Sequence, residues 1–243
     1  TDTSRITRLW AYRILLKKAD NQVIDVLKQA LKDTIHVELM SGCIGSEEPY
    51  NRAAIFVYNY DGNELKLSNQ LRFSLDSLIF FGYMKNKGFE NGLLMDFKPH
   101  KIYYATVIEE ADKGNDAILP LLAQYKNPND RQRINKLLKD NLKKAGVCSY
   151  EACEAISNWN DPAFEWYAKA ACQATIKQEY YDADEVLQLL CAYPAPWSYQ
   201  ILKKLLTQKG DYSNSDTAKD YLTELYKTRP VPPIFKQIGR AHV

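Results

Sequence analysis

The chain is predicted to be α+β: a small, mainly antiparallel sheet with flanking helices, followed by an α-helical bundle or array. Three observations predict this. RAAIFVYNYDGNELKLSNQ, residues 52–70, sets apolar runs on either side of Asp61-Gly62, a dipeptide that favours a tight reversal between antiparallel strands. KIYYATVI, residues 101–108, is dense in the β-branched and aromatic side chains that sheets accommodate. From about Asn115 the apolar residues recur at helical spacing. The organisation that follows is an α+β region over 1–114, a helical region over 115–229 and a proline-rich tail over 230–243.

Element by element, Ser4 is placed to cap a helix whose apolar face holds Ile6, Leu9, Trp10, Ile14 and Leu15. Val23, Ile24, Val26, Leu27 and Leu31 continue that face, and Asp20-Asn21 between the two sets leaves one long helix and a helix pair both open. IHVELM (35–40) alternates as a short strand, and SGCIGSEEPYN (41–51) has the composition of an exposed loop. Ala54–Tyr58 and Leu65 with Leu67 are the expected hairpin strands. LRFSLDSLIFFGYM (71–84) fits a short helix or a buried strand pair, and 93–97 and 101–108 fit further strands.

In the second half, Pro120 has to sit in the first turn of its helix. NDRQRINKLLKDNLKKAG (129–146) forms the next one, and Ser149, Asp161-Pro162, Asp182, Trp197 and Ser215 or Asp216 begin others. Brief turns between these helices imply an antiparallel bundle or stacked array, although no fixed repeat period identifies a known solenoid. Pro230, Pro232 and Pro233 keep the tail non-helical.

A chain of 243 residues with 46% hydrophobic content buries a core without a metal or disulfide. Thirty-two basic against 30 acidic residues leave +2, far from the balance of a domain that wraps nucleic acid. Five scattered cysteines suit reduced thiols of an intracellular, cytoplasmic protein, with Cys148 and Cys153 close enough in sequence to approach one another. No apolar run is long enough for a transmembrane helix. The start TDTSRITRLW carries neither a signal core nor an initiator Met, as in a processed product or a piece of something longer.

The most one-signed feature is the helix at 131–145. Ile134, Leu137, Leu138, Leu142 and Ala145 share one side, while Arg131, Arg133, Lys136, Lys139, Lys143 and Lys144 gather opposite them, with Asp140 among them. The apolar side is explained by core packing, and the basic side suits an anionic partner held through phosphate or carboxylate groups. Glu151 and Glu154 in the next helix oppose a helix-turn-helix reading, because they would repel the DNA backbone. Tyr58, Tyr60, Tyr103 and Tyr104 are the candidate aromatic contacts, for a protein partner or for stacking unpaired bases.

His36, His100 and His242 lack the spacing of a zinc site, and Cys43 in SGCIG, with His36 or His100 as base, is the one candidate nucleophile. Glu109-Glu110 and the set Asp182, Asp184 and Glu185 are more simply structural. No nucleotide-binding or nucleophile-elbow motif occurs, so no cofactor or metal is expected. A helix feeding RAAIFVYNYDGNELKLS resembles the opening of a GAF-type sensory domain, which implies a sheet that holds a small ligand or mediates dimerisation; no ligand residues carry over. The expected function is a non-enzymatic protein-interaction or regulatory module with a protein partner. The alternatives are a single-stranded RNA-binding protein and a hydrolase or transferase with a dispersed site near Cys43.

Overall fold

The computed structural model describes residues 4–41, 44–62, 65, 67–89, 94, 97–146, 149–177, 183–207 and 223. It has the predicted fold class, a two-stranded antiparallel sheet with flanking helices followed by an array of helices. Contacts divide the chain into two compact units, Thr1–Phe97 and Lys98–Val243.

In the first unit, Ser4 caps α1 (Arg5–Lys17) by accepting the Thr7 N–H, and α2 (Gln22–Ala30) is a separate helix, its first N–H taken by Asp20 Oδ1 at 2.9 Å. Strand β1 (His36–Ser41) lies where it was expected. Its partner is β2 (Ile44–Pro49), in the stretch read as a loop, paired from His36 opposite Pro49 to Ser41 opposite Ile44.

The hairpin expected around Asp61-Gly62 is instead α3 (Tyr50–Gly62), and the GAF-type resemblance falls with it. Burial explains the correction. Asn51, Ala54, Ile55 and Tyr58 are buried while Arg52, Phe56 and Tyr60 face solvent, a spacing of four residues that no strand produces. The Ala53-Ala54 pair favours helix, and the β-branched count masked it. α4 (Asn69–Ile79), capped by Ser68, continues through a π-helical turn at Phe80–Met84 into α5 (Lys85–Lys87), which settles the open choice at 71–84 as helix. At this turn Phe80 meets Phe81, Phe89 and Phe97, with ring centroids 5.0–6.3 Å apart. Of the strand expected at 93–97, Leu94 and Phe97 are described and are not in a strand.

Two polar clusters fix this unit. Asp33 accepts from Arg5 Nε at 3.0 Å and from Arg8 Nη2 at 3.2 Å, and its Oδ1 also takes the Ile35 N–H, so α1 is clamped to the segment entering β1. Burial pushes the Asp33 pKa up, but these hydrogen bonds and the two guanidinium charges outweigh it and hold the carboxyl below its ordinary range. The Tyr58 hydroxyl donates to Asp76 at 2.6 Å, joining α3 to α4 in the core.

The second unit opens with another correction: KIYYATVI is helical, part of α6 (Lys101–Asp112), with Tyr103, Val107 and Ala111 buried at intervals of four residues. It is followed by α7 (Leu119–Gln124), α8 (Arg131–Ala145), α9 (Tyr150–Trp159), α10 (Glu165–Thr175), α11 (Ala183–Ala192) and α12 (Pro196–Thr207). Pro120 occupies the first turn of α7, Gly146 ends α8 in the left-handed region at φ 68°, and Ser149 caps α9, as the sequence indicated. The expected helix starts at Asp182 and at Ser215 or Asp216, and the tail, lie outside the described residues.

These helices form a repeat that the sequence reading did not find. Asn127-Pro128, Asp161-Pro162 and Ala195-Pro196 each stand 34 residues after the last. The same spacing relates the buried residues of the first helix of each pair: Ile134, Ala168 and Leu202, then Leu137, Ala171 and Leu205. It relates those of the second helix as well: Ile118, Ala152 and Val186; Leu119, Cys153 and Leu187; Leu121, Ala155 and Leu189; Leu122, Ile156 and Leu190. Backbone geometry recurs too. Lys126 and Asn160 are left-handed at φ 50° and 54°, and the Asx residue after each closes a turn onto the backbone N–H two residues on, Asn127 to Asn129 and Asp161 to Ala163.

What is conserved along the array is burial rather than residue type. The first helices, α6, α8, α10 and α12, touch in succession as one layer, and α7, α9 and α11 touch in succession as the other. This is the stacking of helix pairs that bury a face only against their neighbours.

Polar side chains tie each first-layer helix to the one before. Arg133 on α8 reaches Asp112 at the end of α6 (2.6 Å), Trp166 Nε1 on α10 donates to Asn135 on α8 (2.6 Å), and Trp197 Nε1 on α12 donates to Glu165 on α10 (2.8 Å). Inside, Asn141 donates to Asp116 and accepts from the Tyr167 hydroxyl, both at 3.0 Å.

Asp33→Asn is expected to lower the urea midpoint at neutral pH by an amount equivalent to about 1 kcal/mol. Because the folded pKa of Asp33 lies below its unfolded value, this deficit is full above about pH 5 and shrinks as the pH falls through the ordinary Asp value of about 3.9. A deficit that stays constant down to acid pH contradicts the clamp. Asp161→Ala removes a turn-closing acceptor and the Arg131 partner together, and should cost about 2 kcal/mol of thermal stability, with Asp161→Asn costing less than half as much. Equal losses for the two would show that the turn does not depend on the acceptor.

Candidate functional site

The six basic residues singled out on α8 separate into two groups. Arg131 pairs with the buried Asp161 through Nη2 at 2.7 Å and Nε at 2.8 Å, linking α8 to the turn that starts α10. Arg133 bridges Asp112 (2.6 Å) and the buried Asp130 (2.7 Å), and its own pKa is raised, first by the Asp112 hydrogen bond. Both arginines are therefore internal staples. Lys136, Lys139, Lys143 and Lys144 are exposed, and among the described residues none of them has a carboxylate in ion-pair distance. Lys143 and Lys144 lie in the last turn, where the helix dipole alone favours cations.

Lys136 and Lys139 have different neighbours. With Gln132, Asn135, Ala163 and Trp166 they line an open groove of about 610 Å³ between α8 and the start of α10. Trp166 is 37% exposed. Its indole N–H is held by Asn135, which fixes the ring across the groove, while the amide N–H groups of Asn135 remain as donors. The site thus combines two unpaired ammonium groups, an anchored aromatic surface and amide donors.

Trp166 was not singled out from the sequence, although a signal existed. The buried residues of α10 are Tyr167, Ala168, Ala171, Cys172 and Thr175, so Trp166 is a large aromatic one step off the core stripe.

The four candidate tyrosines are not brought together. Tyr58 and Tyr103 are buried, at 3% and 1% exposure, and present no ring to solvent. Tyr104 is half-buried, its hydroxyl donating to Asp130 at 2.7 Å and accepting from Asn127 at 2.6 Å, its ring edge-on to Tyr125. Burial is the largest of the causes raising its pKa. Only Tyr60 is open, at 67% exposure, stacked on the equally open Phe56 of the first unit.

The catalytic alternatives gain no geometry. Cys43, Cys148 and His242 lie outside the described residues. His100 caps α6 through Nδ1, and His36 begins β1. Cys172 is a buried thiol pushed up to about 12 by desolvation, the opposite of an activated nucleophile. Cys153 is disulfide-bonded, so the expectation of reduced thiols does not hold for it, and Cys148, the cysteine expected to approach it, lies outside the described residues. Among the described residues no cluster of His, Cys, Asp and Glu forms a metal site, and no helix is long and apolar enough to cross a membrane.

The division between staples and free lysines is measurable. Arg133→Ala should lower thermal stability by about 2–3 kcal/mol because it leaves the buried Asp130 carboxylate with the Tyr104 hydroxyl but no cation, whereas Lys136→Ala and Lys139→Ala should each stay within about 0.5 kcal/mol of wild type. Equal losses at the three positions would show the lysines to be structural.

No family model matches the chain, and no curated protein or solved structure matches it either.

Proposed function

We propose that the protein is a non-enzymatic interaction module whose helical-repeat unit offers the exposed side of its first helix layer to an acidic protein partner. The observation that carries the reading is the set of exposed lysines on α8, none with a carboxylate in ion-pair distance among the described residues, set beside the anchored indole of Trp166. Charge distribution supports it further: the first layer, α6, α8, α10 and α12, carries ten basic and five acidic residues, two of the ten being the paired Arg131 and Arg133, while α7, α9 and α11 carry four acidic and no basic ones. A stacked array of this kind exposes an extended surface suited to long, weakly structured partners. Single-stranded RNA is the second reading and has less support, because base stacking needs open aromatic faces and two of the four candidate tyrosines are buried.

An intracellular, cytoplasmic location accompanies this reading as a proposal. The Cys153 disulfide weighs against the cytosol, where such bonds are kept reduced.

Fluorescence anisotropy with labelled polyglutamate and with labelled oligouridine tests the reading. Polyglutamate should bind, weaken steeply between low and physiological salt, and lose about tenfold in affinity in the K136E/K139E double variant. Absence of polyglutamate binding, or binding unchanged by the double variant, would overturn the assignment.

A further inference from the structure

The 34-residue repeat sets where the exposed charge recurs. Lys101 on α6, Lys169 on α10 and Lys203 on α12 occupy the same repeat position, one per helix of the first layer, and all three are exposed. On α8 that position is Asn135, whose side chain is engaged by Trp166, and the charge moves to the adjacent Lys136. Among the described residues neither Lys136 nor Lys169 has an ion-pair partner, and the nearby Glu165 is taken up by the Trp197 indole. Trp166 stands one turn before Lys169 on α10, on the same face of that helix.

Adjacent packed helices lie about 8–10 Å apart. An extended chain advances about 3.3 Å per residue, so three residues span one helix-to-helix step. We propose that the first layer binds an extended acidic peptide that crosses its helices and carries a carboxylate at every third residue, one for each of Lys101, Lys136 and Lys169. An apolar side chain between the carboxylates facing α8 and α10 rests on the Trp166 ring. In the polyproline II form of an extended chain, with three residues per turn and about 3.1 Å per residue, side chains three apart point the same way, so every third carboxylate faces the lysines.

Helical or clustered acidic segments do not fit this ladder, because their charges crowd onto one step. A nucleic acid strand carries its charges more closely than one per helix and asks for an open stacking platform at each base, whereas the described residues of this layer offer two indoles for four helices, Trp166 at the α8–α10 step and the half-buried Trp197 at the α10–α12 step. The proposal rests on the acidic-partner reading above and adds the spacing of the ligand's charges.

Three fluorescein-labelled peptides of about 12 residues test it, long enough to cross the three helices with residues to spare at each end. All have the same number of Glu residues and one Leu in a Gly/Ser background, with Glu at every third position, at alternate positions, or in one block. The third-position peptide is expected to bind about tenfold more tightly than either isomer, K136E/K169E should erase that preference, and Trp166→Ala should weaken the third-position peptide alone. Equal affinity for the three isomers, or a preference that survives K136E/K169E, overturns the ladder while leaving the acidic-partner reading standing as long as polyglutamate binds. An oligouridine of equal charge that binds more tightly than the third-position peptide assigns the surface to nucleic acid and overturns both.

Discussion

The second unit depends on one constraint: each helix pair buries its apolar stripe only against the pairs before and after it. Ile118, Ala152 and Val186, or Leu122, Ile156 and Leu190, are one position repeated, and all are fully buried. A buried side chain of this size contributes about 1.5–3 kcal/mol, so the stack rather than any single helix holds the unit together. Small residues in α9, Ala152 and Ala155, let the second-layer helices approach closely. The recurrent turn, a left-handed residue followed by Asn127 or Asp161, resets the chain direction between pairs.

That packing determines which charges remain for a partner. Helices joined only through neighbours need polar links at their rims, and Arg131, Arg133, Trp166 and Trp197 each supply one. The arginines, with planar guanidinium groups suited to carboxylates, are engaged by Asp161, Asp112 and Asp130 at the rim of the stack. The lysines of α8 are left in water. A basic helix that looks uniform in sequence is thus two chemical populations, and only the lysines belong to a candidate interface.

What was legible in the sequence was local. Ser4, Ser149 and Asp161 act on N–H groups two or three residues away, and the stripe of Ile134, Leu137 and Leu138 is set by helical geometry alone. What was not legible depends on partners distant in sequence. Arg133 is defined by Asp112, 21 residues earlier, and Trp166 by Asn135, 31 residues earlier. The repeat escaped because Ile134, Ala168 and Leu202 share a place in the stack without sharing a shape. Two of the misplaced strand assignments have one cause: in α3 and α6 aromatic and β-branched residues sit at helical intervals, and their abundance was weighed above their spacing. The sheet itself was half seen, with β1 recognised and its partner hidden in a Gly- and Glu-containing stretch.

The acidic partner proposed for this protein is received by the exposed lysines of the first helix layer. Reductive methylation of all lysines with ¹³C-formaldehyde, followed by methyl NMR during titration with the third-position Glu peptide, tests it residue by residue once resonances are assigned by single Lys→Arg variants. The account predicts that the dimethyl-lysine signals of Lys136, Lys139 and Lys169 shift together and saturate at one affinity, while those of Lys17 and Lys18 in the first unit stay in place. Shifts spread evenly over all lysines, or centred on the first unit, would contradict it.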